Sequence, residues 1–127
     1  INFDGTGLAT VVSGESSPLA VDVDPVSGKL FWGTPGAVRR SNLDGSGVQT
    51  IATTMVGGVY GLAVDPVGGR VYWLEAPAGT SIIRVANLDG SGATTLLTTC
   101  YRPAERGKAL GALGGLHPAF TGFDNQG

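Results

Sequence analysis

Two short motifs recur along this chain in fixed phase, and that recurrence limits what the chain can fold into. Asp4-Gly5-Thr6-Gly7 returns as Asp44-Gly45-Ser46-Gly47 and as Asp89-Gly90-Ser91-Gly92, at spacings of 40 and 45 residues. Between these lies a second motif. Val23-Asp24-Pro25-Val26-Ser27-Gly28-Lys29-Leu30-Phe31-Trp32 returns 41 residues later as Val64-Asp65-Pro66-Val67-Gly68-Gly69-Arg70-Val71-Tyr72-Trp73. A self-similar period of this length marks a stack of supersecondary units. The second unit carries four extra residues between Trp73 and Asn87, around Glu75-Ala76-Pro77-Ala78-Gly79. An insertion confined to a Pro/Gly-rich stretch reads as a longer loop between two kept strands.

Each unit parses into four strands. The first covers residues 19–23 and again 60–64. Asp-Pro-x-x-Gly follows, in which proline presets one φ, aspartate bonds backbone two residues on and glycine supplies the positive φ. The second strand covers 29–32 and 70–73, the third 38–43 and 82–88. Asp-Gly-Ser/Thr-Gly is a strong hairpin signal, and the fourth strand follows at 48–52 and 93–97. Leu30 and Trp32 point to one side of their strand and Phe31 to the other, so both faces of the sheet need cover. A four-stranded sheet that is apolar on both sides stacks on others like itself, which is propeller logic. The expected fold is all-β: propeller blades of four antiparallel strands, two full blades plus a half blade and a tail. The units are 1–14 (half blade, strands three and four), 15–58, 59–100 and a Gly-rich tail, 101–127.

Composition agrees and removes several functions. The 127 residues hold 22 Gly and 7 Pro with only 14% charged residues, a mix suited to short strands and tight turns. A net charge of −2 gives no electrostatic footprint for nucleic acid, and Arg39-Arg40 is the one basic pair. No apolar run is long enough for membrane insertion as a helix. The single cysteine, Cys100, excludes an intrachain disulfide and a cysteine-rich metal site, which leaves a quiet thiol or an intermolecular one. The chain begins at Ile1 rather than Met, which suggests a processed or excerpted chain.

These residues resemble the YWTD (LDL-receptor class B) β-propeller repeat. The resemblance is carried by Gly61-Leu62-Ala63-Val64-Asp65, by the aromatic-Trp pairs Phe31-Trp32 and Tyr72-Trp73, and by Asn87-Leu88-Asp89-Gly90-Ser91. It covers residues 1–99. The NHL repeat is a near relative in pattern. The tetrad departs from the family: it reads Phe31-Trp32-Gly33-Thr34 in one blade and Tyr72-Trp73-Leu74-Glu75 in the next, so Thr34 and Glu75 replace its aspartate. The resemblance implies that this carboxylate ties neighbouring blades together, a role open to Glu75 but not to Thr34. Such propellers usually close six blades. The half blade therefore implies an excerpt, a closed dimeric ring or a head-to-tail filament made by sharing strands. The tail is expected to complete a blade, in this chain or a neighbour, or to be an irregular extension.

The recurring Asp24, Asp44, Asp65 and Asp89 read as turn-formers and blade-locking groups. Asp-Gly-Ser-Gly lacks the oxygen ladder of a calcium loop. Phe31, Trp32, Tyr72 and Trp73 read as core. His117 has no triad or metal-ligand spacing around it. No catalytic residue, metal or cofactor is expected. The first expectation is a non-catalytic extracellular, secreted or cell-surface module that binds a protein partner, with a candidate contact loop at Glu75, Pro77 and Thr80. The alternative is a self-assembling structural subunit. A propeller lactonase or lyase is the remote third reading.

Overall fold

The structure, a computed structural model, describes residues 1–54 and 57–100. The tail at 101–127, with the expected completion of a blade and His117, lies outside the described residues. Among the described residues eight strands form two antiparallel four-stranded sheets. The first holds β1 (Ala20–Asp24), β2 (Lys29–Thr34), β3 (Ala37–Asn42) and β4 (Gln49–Thr53). The second holds β5 (Val59–Asp65), β6 (Arg70–Glu75), β7 (Thr80–Asn87) and β8 (Thr94–Cys100). Each sheet is a simple meander with its strands in chain order, and the described residues contain no helix. This is the all-β blade architecture that the repeats predict.

The repeats set the register as well as the strands. Asp22, Phe31 and Arg40 stand opposite one another across β1, β2 and β3, and Ala63, Tyr72 and Val85 form the matching row of the second blade. The two outer strands bulge at the same place. Ile51 is skipped between the pairs Val38↔Ala52 and Arg39↔Thr50, and Leu96 between Ile83↔Leu97 and Arg84↔Thr95. A bulge leaves one residue outside the ladder and turns its backbone away from it. The four inserted residues do not make a long loop. Two of them lengthen the β6–β7 turn and two lengthen β7, because strand pairing satisfies backbone groups that a loop would leave to solvent.

The core lies between the blades. One face of the first sheet supplies Phe31 and Val38, and the opposing face of the second supplies Val59, Val71, Trp73 and Ala86. Phe31 is 0% and Trp73 2% exposed. Gly33 makes the close approach possible, since a Cβ there would overlap the Val59 side chain. Polar bonds flank the apolar contact. The Val64 amide donates to Asp22 Oδ2 (2.7 Å), and Arg40 Nη1 donates to the Leu88 carbonyl (2.6 Å). Asp22, Phe31 and Arg40 form one row, so a buried ring sits between two charged groups that each grip the backbone of the next blade. Burying such a ring contributes about 2–3 kcal/mol.

A second contact joins the blades at their rim. Gly90, at φ +91, sits on Ile51, and a Cβ at Gly90 would overlap the Ile51 carbonyl oxygen. The bulge thus presents its carbonyl to the next blade's turn. Gly45, at φ +85, meets the carbonyl of Val11 in the same way. Val11 lies seven residues after Asp4, as Ile51 lies seven after Asp44. Residues 1–19 form no strand, although strands three and four of a half blade are expected at 1–14. Among the described residues these segments have no ladder partner, and a strand without one leaves its backbone groups to water. The Asn2–Gly7 turn nevertheless keeps the bonds of its two counterparts, with the Asn2 amide donating to the Thr6 carbonyl (2.7 Å) and the Gly5 amide to Asn2 (2.9 Å).

Gly45→Ala and Gly90→Ala are each expected to destabilise the chain by about 2–4 kcal/mol, from left-handed strain plus overlap with a backbone oxygen. Gly28→Ala, at φ +67 with open space around it, should cost only about 1 kcal/mol. Urea midpoints for the three variants check the difference.

Candidate interaction surfaces

The recurring carboxylates end in turns. Asp44 Oδ1 accepts from the Ser46 amide (2.9 Å) and hydroxyl (2.6 Å), and Asp89 does the same with Ser91. Asp4 holds Thr6 identically in kind. These bonds stabilise the charged carboxylate. The Ser46 and Ser91 hydroxyls, with their amides second, hold Asp44 and Asp89 below the ordinary aspartate value, and the Thr6 amide does so for Asp4. Asp24 is buried beneath its turn and accepts from the Ser27 hydroxyl and the Val26 and Ser27 amides. The Ser27 hydroxyl lowers its pKa, with burial acting in the opposite sense. Asp65 accepts from the Gly68 amide (2.9 Å). All four aspartates of the repeat therefore accept hydrogen bonds from within their own turns. Among the described residues no group of three or more His, Cys, Asp or Glu side chains is placed to hold a metal ion.

The tetrad substitutions have different consequences in the two blades. Glu75 is 1% exposed, accepts from Trp73 Nε1 (2.7 Å) and faces Arg84 Nη1 at 3.5 Å. The Arg84 guanidinium lies 5.7 Å from the Trp73 ring centroid. Carboxylate and indole are buried, and the half-buried guanidinium closes the cluster over them. In the first blade Arg39 lies over Trp32 in the same way, at 5.9 Å. Thr34, at the position of Glu75, turns its hydroxyl to the Ala37 carbonyl (3.3 Å), and Trp32 Nε1 is buried with no hydrogen-bond partner. The carboxylate for Arg39 comes instead from Glu15, in the segment before β1. Sequence reasoning passed over Glu15. Its only signal was that Arg39 repeats as Arg84 while the acid two residues after the tryptophan does not repeat.

The loop expected to make contacts is partly exposed. Glu75 closes β6 inside the protein. Pro77 and Thr80 are half-buried and joined by the Thr80 amide to the Pro77 carbonyl (2.9 Å). Only Ala78, Gly79 and Ser81 are exposed there. Two exposed apolar side chains stand at the other end of the blades. Val26 and Val67 occupy equivalent tips of the two Asp-Pro-Val turns and are 78% and 97% exposed. Cys100 is exposed at the end of β8, a strand whose seven residues are all exposed. Phe31, Trp32 and Trp73 are buried and Tyr72 is half-buried.

Removing the Glu75 carboxylate leaves Arg84 and the Trp73 indole without their acceptor. Glu75→Ala should therefore cost about 3–5 kcal/mol, read from chemical unfolding. Acid should weaken the fold in a defined direction. The depressed aspartates contribute stability that is complete above the ordinary aspartate pKa near 3.9 and is lost as pH falls through their lower folded values. Unfolding midpoints should be flat with respect to these groups above about pH 5 and decline below pH 4. Asp24→Asn should reduce that decline.

No protein-family model matches the chain. It is similar to low-density lipoprotein receptor-related protein 5 of mouse and of human, 38% identical to each over 64 residues. That match covers 49% of this chain and only 4% of the relatives' length. Among solved structures, the crystal structure of a nidogen/laminin complex aligns with a TM-score of 0.65 at 23% identity, covering 71% of this chain and 35% of that one. A TolB structure from Agrobacterium tumefaciens aligns with a TM-score of 0.67 at 18% identity, covering 79% and 40%. At these identities the solved structures speak to the fold, and the receptor-related proteins to the repeat. Sequence match and fold together show that these blades are similar to those of the YWTD β-propeller repeat family.

Proposed function

We propose that this chain is a non-catalytic, extracellular or cell-surface protein-binding module. The observation that carries the reading is the pair Val26 and Val67, exposed apolar side chains repeated at the tips of equivalent turns at one end of both blades. Turns held rigid by Asp24 and Asp65 would present them without the ordering cost a mobile loop incurs. Similarity to receptor-related proteins and the fold likeness to a nidogen/laminin complex support a protein as the partner and an extracellular setting. Laminin is accordingly the first partner to test. A second reading, self-assembly by blade sharing, is favoured by the edge of β8, which has no strand partner beyond β7 among the described residues and no charge or proline to deter pairing. The exposed Cys100 at the end of that edge is a candidate intermolecular thiol under the same reading.

Binding of the purified chain to immobilised laminin and other basement-membrane proteins tests the first reading. A saturable interaction is expected, weakened roughly tenfold or more by Val26→Asp or Val67→Asp. No binding to any of these proteins, or binding that neither substitution changes, would contradict it.

A further inference from the structure

Asp44-Gly45 and Asp89-Gly90 join two properties that make a backbone chemically fragile. Both aspartates are exposed, and each precedes a glycine, which has no side chain to shield its amide nitrogen. In a mobile chain that nitrogen attacks the preceding carboxyl. A bond forms between the glycine nitrogen and aspartate Cγ, the amide proton and the carboxyl hydroxyl leave together as water, and a five-membered succinimide results. Water then opens the ring at either carbonyl. One route restores aspartate. The other gives isoaspartate, whose backbone runs through the former side chain and is one methylene longer.

The turn around Asp89 withholds both reactants. The Gly90 amide donates to the Asn87 carbonyl (2.8 Å), so the nucleophile is held by another acceptor. Asp89 Oδ1 accepts from the Ser91 hydroxyl (2.6 Å) and amide (2.9 Å), and Asn87 Nδ2 donates to the same hydroxyl (2.8 Å). Ring closure consumes the neutral acid, whereas these bonds favour the carboxylate; the Ser91 hydroxyl, with its amide second, holds Asp89 below the ordinary aspartate value. A third restraint comes from the other blade. Gly90 lies so close to Ile51 of β4 that a Cβ on it would stand 2.2 Å from the Ile51 carbonyl oxygen. Bringing the Gly90 nitrogen onto Cγ rotates the Asp89–Gly90 peptide, and the Ile51 backbone opposes that rotation from outside the turn.

We propose that Asp89-Gly90 is a latent isomerisation site gated by the interblade joint: it stays closed while Ile51 packs on the turn and forms succinimide when the blades part. Isoaspartate in place of Asp89 is then a covalent record of that opening. It also hinders reclosure, because the longer backbone no longer matches the two bonds that close the turn, Asn87 amide to Ser91 carbonyl and Gly90 amide to Asn87 carbonyl. Asp44-Gly45 has the same internal bonds, but Gly45 lies against Val11 rather than the second blade. Its turn is therefore an internal reference that the joint between the two sheets does not gate. None of this depends on partner binding through Val26 and Val67.

The full chain, incubated in mildly acidic buffer, provides the test. A protease that cuts before aspartate and not before isoaspartate, followed by mass spectrometry of the resistant peptides, reads each site. Isoaspartate should accumulate at Asp89 at least roughly tenfold more slowly in the folded chain than in the same chain unfolded in urea, since only the opened fraction reacts. Ser91→Ala removes the hydroxyl bond and should accelerate the reaction at Asp89 roughly threefold or more, with Asp44 unchanged as the sign that the variant is folded. Ser91→Thr should behave as the wild type, because Thr6 makes both equivalent bonds to Asp4. Asp22→Ala loosens the joint without touching the turn, and should accelerate Asp89 roughly fivefold or more while leaving Asp44 as it was. Equal acceleration at both sites in Asp22→Ala, or none at Asp89, overturns the gating. Isomerisation of Asp89 as fast in the folded chain as in urea overturns the proposal outright, as does indifference of Asp89 to Ser91→Ala.

Discussion

The joint between the two sheets is the contact on which the rest of the structure depends. Neither sheet can stand alone, because each is apolar on the face it turns to the other. Phe31 from one sheet and Trp73 from the next are both removed from water there. Apolar burial supplies most of the free energy and is indifferent to direction. Direction comes from Asp22 and Arg40, which bond the Val64 amide and the Leu88 carbonyl at opposite ends of the Phe31 row. Those bonds fix how far one sheet slides over the other. The turn glycine on the bulge carbonyl fixes the outer rim by shape alone, since a side chain there would collide with backbone. Packing thus holds the blades together, and the small set of polar and steric contacts around it chooses the alignment.

Much of this was legible in the sequence because it repeats. Periodicity gave the strands of the two full blades to within two or three residues, and the two turns announced their own chemistry through aspartate, proline and glycine. The contacts between blades were harder to see. Asp22 and Arg40 do not recur in the second unit, where Ala63 and Val85 stand, so a search for repeated residues passes over them. Glu15 was hidden for a related reason: it supplies from an irregular segment what Glu75 supplies from a strand. The insertion after Glu75 showed its size in the sequence but not its division, since half of the inserted residues went into extending β7. Residues that recur shape the single blade here, and those that join blade to blade are partly unique to their positions.

That division bears on function. The repeated residues are consumed by folding: their carboxylates cap their own turns and their rings fill the core. What the repeats leave exposed includes the valines at the turn tips, on which the proposed recognition rests. The carboxylate–indole–guanidinium cluster at Glu75, Trp73 and Arg84 belongs to the first class. Its charges are turned on one another across the Trp73 indole, so it contributes to the shape of the blade.

Amide hydrogen exchange at Val64 tests the interblade joint most directly. The Val64 amide faces outward from β5, at the edge of its own sheet, and its acceptor is Asp22 of the other blade. An edge amide open to water exchanges readily, whereas one closed by the joint exchanges only when the blades part. The account predicts protection at Val64 comparable to that of amides within the β5–β6 ladder, lost selectively in Asp22→Ala. Rapid exchange at Val64 in the unsubstituted chain would contradict it, because the two sheets would then not be locked as described.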